Sequence, residues 1–174
     1  MILIYTSKNI KHKAERIIQE HRTNNVYQIC ENLKITILKS NLGRINGFLQ
    51  YYKEENEYII HVNKRSSQPE IIIAHELGHF FLHKNLNTFQ MEKCSIVLGA
   101  KLEHQANTFA SEILITDKML IDEMPRIRNW THKQIASFFK VPLFVIEQKV
   151  SQLNLLSPKT SMPLKEERSI VKFA

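Results

Sequence analysis

The sequence predicts an α+β fold in which a small, mostly antiparallel sheet is followed by a helical core and a C-terminal helix pair. Stretches rich in β-branched and aromatic residues occupy positions 35–38, 45–52 and 58–62, which is typical of strands. Residues 69–83 are apolar on nearly every side of a helix, which indicates a helix buried at the centre of a domain. Residues 131–153 then carry apolar side chains at helical spacing, as two helices.

The elements before the buried helix are short. Residues 8–22 are predicted to form an amphipathic helix, because Ile10, Ala14, Ile17 and Ile18 recur at helical spacing. Residues 26–33 predict a second short helix, and the polar residues 53–57 predict the turn of a hairpin between the second and third strands. The sheet therefore precedes the centre of the chain.

The elements from the buried helix onward have recognisable boundaries. Residues 67–70 match a capping box with its proline in the first helical turn. Residues 84–100 are interpreted as a loop and residues 101–115 as an amphipathic helix. Asp117 is expected to cap a short helix that ends before Pro125, and the tail from Ser157 is expected to be loosely held.

Composition excludes several classes of protein. Hydrophobic residues make up 43% of the 174 residues, and no apolar run approaches the ~20 residues that span a bilayer. The N-terminus lacks the apolar region of a signal peptide, and Cys30 and Cys94 form no disulfide framework. We therefore expect a cytoplasmic protein that does not associate with a membrane. The net charge of +7 permits an acidic partner but does not require one.

The buried helix contains the sequence His75-Glu76-Leu77-Gly78-His79, an HExxH motif. Residues four apart lie on one face of a helix, so both imidazoles can reach one metal ion. Glu76 lies beside that face, where it can contact a metal-held water without being a ligand. Ionisable groups on an otherwise apolar helix would be costly to bury without a partner, and a bound cation provides one.

A catalytic zinc site needs a third protein ligand and one open position. Helical phase favours Glu103, and Asn107 lies one turn further on the same face, where it can accept a hydrogen bond from His75 or His79. Ala106 and Ala110 would let this helix pack closely against the HExxH helix. Several alternatives remain open as third ligands, of which the first two are the best: Glu112, Asp117, His104, Cys94 and Glu92.

The motif and the sequence Glu-x-x-Ala-Asn-x-Phe-Ala that begins at Glu103 resemble the ImmA/IrrE family of zinc metallopeptidases, which belong to the gluzincins. The similarity extends from about residue 8 to about residue 155 and includes the preceding sheet and the C-terminal helix pair. The chain departs from the family's pattern in lacking a proline after Ile115, and in carrying Asn107 where relatives often carry aspartate.

The resemblance implies a zincin-like fold, with His75, His79 and Glu103 as zinc ligands and Glu76 as catalytic base. It implies a metallopeptidase domain over residues 1–125, a helix-turn-helix-like segment over 126–156 and a flexible tail over 157–174. It also implies an endopeptidase that cleaves the helix-turn-helix repressor of a mobile genetic element. An activating protein is a candidate further partner.

Two features of the proposed reaction stay open in the sequence. The residue that stabilises the oxyanion is one of a set of five: Tyr51, Tyr52, Tyr58, His83 and His104. Of these, His83 continues the face of His79 by one turn, where a packing role is favoured over a ligand role. The sheet edge near residues 58–62 is expected to bind substrate as an added strand, by analogy with other gluzincins.

Two alternatives to an enzyme are considered. Residues 131–153 have the outline of a DNA-binding helix-turn-helix, but the second helix carries only Lys149 as a basic residue, beside outward-facing Phe144, Glu147, Gln148 and Ser151. A recognition helix usually presents more basic and amide groups, which argues against DNA as a partner. The other alternative is a metal-bound protein-binding regulator without turnover.

Overall fold

The α+β fold class is confirmed by the computed structural model, which describes residues 4–84 and 96–156. Within these ranges the chain forms seven helices and one three-stranded sheet. None of the described helices has the length and apolar character needed to cross a membrane. The elements in chain order are α1 (Ser7–His21), α2 (Val26–Asn32), β1 (Thr36–Ser40), β2 (Gly47–Tyr52), β3 (Glu57–Asn63), α3 (Pro69–His83), α4 (Ile96–Leu114), α5 (Asp117–Ile127), α6 (His132–Phe139) and α7 (Leu143–Leu156).

The sheet is mixed, which corrects the expectation of a mostly antiparallel one. Its strand order is β1-β3-β2, with β3 antiparallel to β2 and parallel to β1. Strand β3 is central because its Ile60 and Val62 side chains are fully buried, whereas β1 and β2 are partly exposed. The hairpin between β2 and β3 fixes one antiparallel pairing, and β1 then pairs with the remaining edge of β3.

The caps and ends of α3, α4 and α5 differ in part from those predicted. Helix α3 has Pro69 in its first turn as expected, but its N-cap is Gln68, which makes no side-chain capping bond, so the capping box is wrong. Helix α4 begins at Ile96, so residues 96–100 are helical rather than a loop. Thr116, rather than Asp117, caps α5 by accepting a hydrogen bond from the Met119 N–H at 3.1 Å.

Helix α5 continues through Pro125 and ends at Ile127, beyond the predicted end. Pro125 lies in the last turn, where a missing N–H removes only one helical hydrogen bond. The rest of the predicted loop, residues 85–95, lies outside the described residues, as do Cys94 and the predicted tail from Ser157.

The apolar side chains form two clusters. The larger one joins α1, α2, the sheet, α3 and α4, and includes Ile17, Ile60 and Leu77. The smaller one joins α5, α6 and α7, and includes Ile127, Ile135 and Ile146. Helix α5 thus packs with the predicted helix pair, and Leu114 at the end of α4 contacts both clusters. The division of the chain at residue 125 stays a prediction.

We predict that the Cys30 thiol is unreactive in the folded protein. Cys30 is buried in the larger cluster, and burial raises the pKa of its thiol from 9.0 to about 12. Because the thiolate is the nucleophile, three units correspond to about 10³-fold less reactive species near neutral pH. In a Cys94→Ser variant, alkylation should be slow in buffer and fast in denaturant. Equal rates in the two conditions would contradict the prediction.

Candidate metal and catalytic site

Helices α3 and α4 approach each other closely at Gly78, within the HExxH motif. A Cβ atom built on Gly78 would lie 2.9 Å from the Ala106 Cα and 3.0 Å from the Ala106 carbonyl oxygen. Only a residue without a side chain fits here without displacing the backbone of α4. The predicted contact through Ala106 is therefore confirmed, and it sets the distance between the side chains that the two helices present.

The structure brings His75, His79 and Glu103 together. The Nε2 atoms of the two histidines are 3.1 Å apart, and each is 3.2 Å from one oxygen of the Glu103 carboxylate. One ligand atom from each residue fits within a span of 4.8 Å. Two imidazole nitrogens and a carboxylate oxygen at this separation can hold a single divalent ion.

The second nitrogen of His75 is also paired. Its Nδ1 atom is 2.9 Å from the Asn107 Oδ1 atom, which accepts a hydrogen bond from the ring. Because Nδ1 carries the proton in this arrangement, the Nε2 lone pair is directed at the cluster. The predicted hydrogen-bonding position of Asn107, one turn after Glu103, is confirmed for His75.

Glu76 is buried beside the cluster, with 7% of its surface exposed. Burial raises the pKa of its carboxyl group, while the neighbouring His79 and His75 and a backbone hydrogen bond from Leu49 act in the opposite direction. The net effect is a raised pKa, which makes this carboxylate a stronger base than one in water.

The electrostatics of the cluster favour a cation. Contact with the His75 and His79 imidazoles holds the pKa of the Glu103 carboxyl well below its usual range. Burial alone would lower the pKa of His75, but hydrogen bonds and charge from Glu103 and Glu76 raise it overall. Two carboxylates thus face two imidazoles, and positive charge among them is stabilised whether it is a proton or a metal ion.

Those alternative third ligands that the structure describes lie away from the three-residue cluster. The Glu112 and Asp117 carboxylates pair with the Lys149 ammonium at 2.5 Å and 2.6 Å, within a buried charge cluster on α4, α5 and α7. The exposed His104 ring is 3.2 Å from the Gln148 side chain. Glu92 and Cys94 fall outside the described residues.

The five oxyanion candidates take different positions. The Tyr51 hydroxyl donates to Asn56 at 2.7 Å in an exposed turn, and Tyr52 is exposed. The Tyr58 ring packs edge-on against Phe80, and His83 is buried behind His79. Among the described residues, no contact of these four or of His104 selects one as the stabiliser, and the set of five stays a prediction.

The sheet edge expected to bind substrate is wrong. Residues 58–62 lie in β3, which is paired on both sides and cannot accept another strand. Strand β2 is an outer strand, and the hydrogen bond from the Leu49 backbone to Glu76 places it beside the HExxH motif. The strand next to the site is therefore β2.

The helix pair also differs from its sequence interpretation in one respect. Helices α6 and α7 are present as predicted, but Lys149 is buried, with 1% of its surface exposed, rather than facing outward. The described outward side chains of α7 therefore include no basic group. This arrangement argues further against α7 as a recognition helix.

Comparison with known proteins identifies the family. The family described as the IrrE N-terminal-like domain, peptidase M78, matches residues 30–151. The chain belongs to the ImmA/IrrE family of metallopeptidases. The metal-compatible cluster at His75, His79 and Glu103 lies within the matched region, and this metallopeptidase carries its HExxH motif on the buried helix α3.

Two relatives extend the comparison. The chain is 54% identical over 157 residues to metallopeptidase ImmA of Bacillus subtilis (strain 168). This alignment covers 90% of this chain and 93% of that protein. It is 34% identical over 109 residues to an uncharacterized immunity region protein 2 of Bacillus phage phi105, which covers 62% of this chain and 69% of that protein.

A solved structure shares the fold of this metallopeptidase. A Mycobacterium tuberculosis transcriptional regulator superposes with a TM-score of 0.57 at 15% sequence identity. The match covers 82% of this chain and 46% of that chain. At this identity the likeness supports the fold alone.

The Gly78–Ala106 contact predicts a specific effect on metal binding. Gly78→Ala should force α4 away from α3, weaken binding of a divalent metal ion at the three-residue cluster and lower stability by about 1–3 kcal/mol. Gly99→Ala on α4 is the matched control, because a Cβ there meets nothing within 4 Å, and it should be neutral or slightly stabilising. Chelator competition and thermal unfolding measure both effects. Wild-type metal affinity in Gly78→Ala would contradict this account.

Proposed function

We propose that this metallopeptidase is a zinc-dependent endopeptidase that cleaves a helix-turn-helix transcriptional repressor in the cytoplasm and thereby derepresses a mobile genetic element. His75, His79 and Glu103 are the proposed zinc ligands, and Glu76 is the proposed catalytic base. The observation that carries the proposal is the convergence of three ligand atoms within 4.8 Å, with the buried Glu76 carboxyl beside them.

The donor set fits zinc. Imidazole nitrogen and carboxylate oxygen are ordinary zinc ligands, and three protein ligands leave one position for water, as in catalytic zinc sites. The Nδ1 atom of each histidine is already hydrogen-bonded elsewhere, so the Nε2 atoms are the ones presented to the metal. A zinc ion bound there supplies a water of lowered pKa and polarises the substrate carbonyl.

The residues of the chain supply the proton transfers. Glu76 accepts a proton from the attacking water as its oxygen bonds to the carbonyl carbon of the scissile peptide. It then passes this proton to the departing amine as the C–N bond breaks. Burial of the Glu76 carboxyl suits both steps, since a raised pKa brings the group closer to the operating pH.

Strand β2 is the proposed binding edge for the substrate backbone. It lies outermost in the sheet, and its Leu49 backbone contacts Glu76, so a strand added there would pass the catalytic motif. Main-chain hydrogen bonds would hold the peptide in an extended conformation, and this binding would not depend on most of the peptide's side chains. Selectivity for one repressor would then come from contacts outside this edge.

The identity of the substrate is supported by the relatives. One is a metallopeptidase named ImmA, and the other is named for the immunity region of a phage. Both names are consistent with control of a mobile element. Membership of a peptidase family supports a peptide substrate, and the choice of a repressor rests on these names and on the family resemblance.

The experiment incubates the purified chain with the repressor encoded beside its gene and measures intact masses. The arms are the zinc-loaded protein, a chelator-treated sample, and the treated sample with zinc or magnesium restored. We expect two fragments whose masses sum to the repressor plus one water, only in the zinc-containing arms. An intact repressor with zinc-loaded protein would overturn the proposed substrate, and undiminished cleavage after complete zinc removal would overturn the proposed chemistry.

A further inference from the structure

A chain of hydrogen bonds extends from His79 into the interior, on the side away from Glu103. The His79 Nδ1 atom lies 3.1 Å from the His83 Nδ1 atom, and the His83 Nε2 atom lies 2.8 Å from the Gln105 Oε1 atom. The Gln105 Nε2 group then donates to the Tyr5 carbonyl oxygen at 2.9 Å. His83 and Gln105 are 3% and 4% exposed, so water has little access to their side chains.

The donor and acceptor in each of these hydrogen bonds follow from the innermost one, between Gln105 and the Tyr5 carbonyl. A backbone carbonyl only accepts, so the Gln105 amide nitrogen faces Tyr5 and its oxygen faces His83. The amide oxygen also only accepts, so the His83 Nε2 atom carries the proton. In neutral His83 the Nδ1 atom is then an acceptor, and the His79 Nδ1 atom must donate to it. The remaining His79 nitrogen, Nε2, is left with its lone pair directed at Glu103 and His75.

The two histidines of the HExxH motif are thus oriented by different devices. His75 donates directly to the Asn107 amide oxygen, whereas His79 reaches an amide oxygen only through a second imidazole. In the neutral form of each ring, both arrangements leave Nε2 unprotonated. This agreement has a chemical reason, because an imidazole binds a metal ion only through an unprotonated nitrogen.

We propose that His83 and Gln105 are a positioning pair that fixes the tautomer and ring orientation of His79 before a metal ion binds. The inference rests on the proposed zinc site. Packing alone does not account for these residues, since two buried polar side chains are costly unless they are hydrogen-bonded, and leucine would fill similar space. The pair also ties the site to the segment before α1, through the Tyr5 carbonyl.

The decisive measurement is the tautomer of His79 in the metal-free protein, read from two-bond ¹⁵N–¹H correlations of ¹⁵N-histidine-labelled samples at neutral pH. We expect the proton on Nδ1 of His79 and on Nε2 of His83 in the wild type. In His83→Leu the His79 proton should redistribute to Nε2. In His83→Asn the amide oxygen replaces the Nδ1 acceptor, and the wild-type tautomer should return.

Zinc affinity, measured by chelator competition, is the second readout. Loss of an outer hydrogen-bond partner typically weakens metal binding 10–100-fold, and we expect this in His83→Leu, with recovery in His83→Asn. Gln105→Leu keeps His83 in place and should have the same sign of effect, so the test survives if His83→Leu does not fold. Asn107→Leu is the matched control, because it should alter the tautomer of His75 and leave that of His79 unchanged.

The outcomes separate this inference from the proposed function. An unchanged His79 tautomer in both His83→Leu and Gln105→Leu would overturn the positioning role, as would equal zinc affinities in His83→Leu and His83→Asn. A wild-type protein with the expected tautomers that binds no zinc would support the orienting role and overturn the proposed function.

Discussion

Glu76→Gln is expected to lower the rate of repressor cleavage by about 10²- to 10⁴-fold while zinc remains bound. Glutamine has nearly the shape of glutamate and can keep the hydrogen bond from the Leu49 backbone only through its oxygen, but it cannot accept a proton from water. The three proposed ligands are untouched by this change. Co-expression with the repressor and intact-mass analysis should therefore give fragments with the wild type and none with the variant.

Glu103→Ala should also lose cleavage in this assay, but through loss of the metal rather than loss of the base. Removing the carboxylate that contacts both histidines should lower zinc affinity by more than the ~10–100-fold expected for an outer partner, and cleavage should be lost with the metal. Glu70→Gln is the matched control on α3, since Glu70 is exposed and, among the described residues, accepts a hydrogen bond from the Tyr27 hydroxyl alone. Normal cleavage by Glu76→Gln would exclude this residue as the base.

Spacing within helices is the part of the site that sequence could predict. The helical period alone places His75 and His79 on one face, and it places Glu103 and Asn107 on one face of the next helix. The structure brings all four together across the Gly78–Ala106 contact. Small residues at matching phase on both helices are a local signal, and no knowledge of the sheet is needed to interpret them.

Strand order is a different problem, because pairing joins residues far apart in the sequence. The three strand positions were predictable from residue types, but the insertion of β3 between β1 and β2 depends on which strand buries the most apolar surface. The predicted substrate edge therefore falls on β3, which is paired on both sides. A hairpin signal predicts that β2 and β3 pair, yet it does not predict which of them is left at the edge.

The sequence indicates which polar side chains are buried, but it does not identify their partners. Gln105 and Lys149 interrupt the apolar stripes of α4 and α7, and Lys11 does so in α1. A polar residue in such a stripe indicates a buried partner but does not identify it. The partners lie on other helices: His83 for Gln105, Glu112 and Asp117 for Lys149, and Asp117 for Lys11.

Lys149→Met is expected to lower the free energy of unfolding by about 3–5 kcal/mol. The Lys149 ammonium is buried between the Glu112 and Asp117 carboxylates, and Lys11 pairs with Asp117 from the other side. Two lysines and two carboxylates together are electrically balanced across α1, α4, α5 and α7. Removal of Lys149 leaves the Glu112 carboxylate buried without its direct cation partner, and Lys11 stays paired with Asp117. Urea unfolding at pH 7 measures the effect.

The pH dependence of this variant follows from the same charge. Burial already raises the pKa of Glu112, whereas the charge of Lys149 lowers it. Loss of Lys149 should therefore raise the pKa of Glu112 further. A carboxyl whose pKa is higher in the folded than in the unfolded state binds more protons when folded, so stability falls as pH rises. The deficit should therefore be smaller at pH 5 than at pH 8.

Glu112→Leu combined with Lys149→Met should recover most of the stability, since no unpaired charge remains. Arg16→Met, which breaks the exposed pair with Glu20, is the control and should change stability by less than about 1 kcal/mol. A Lys149→Met deficit as small as that of Arg16→Met would show that the cluster does not hold the C-terminal helices against α1 and α4.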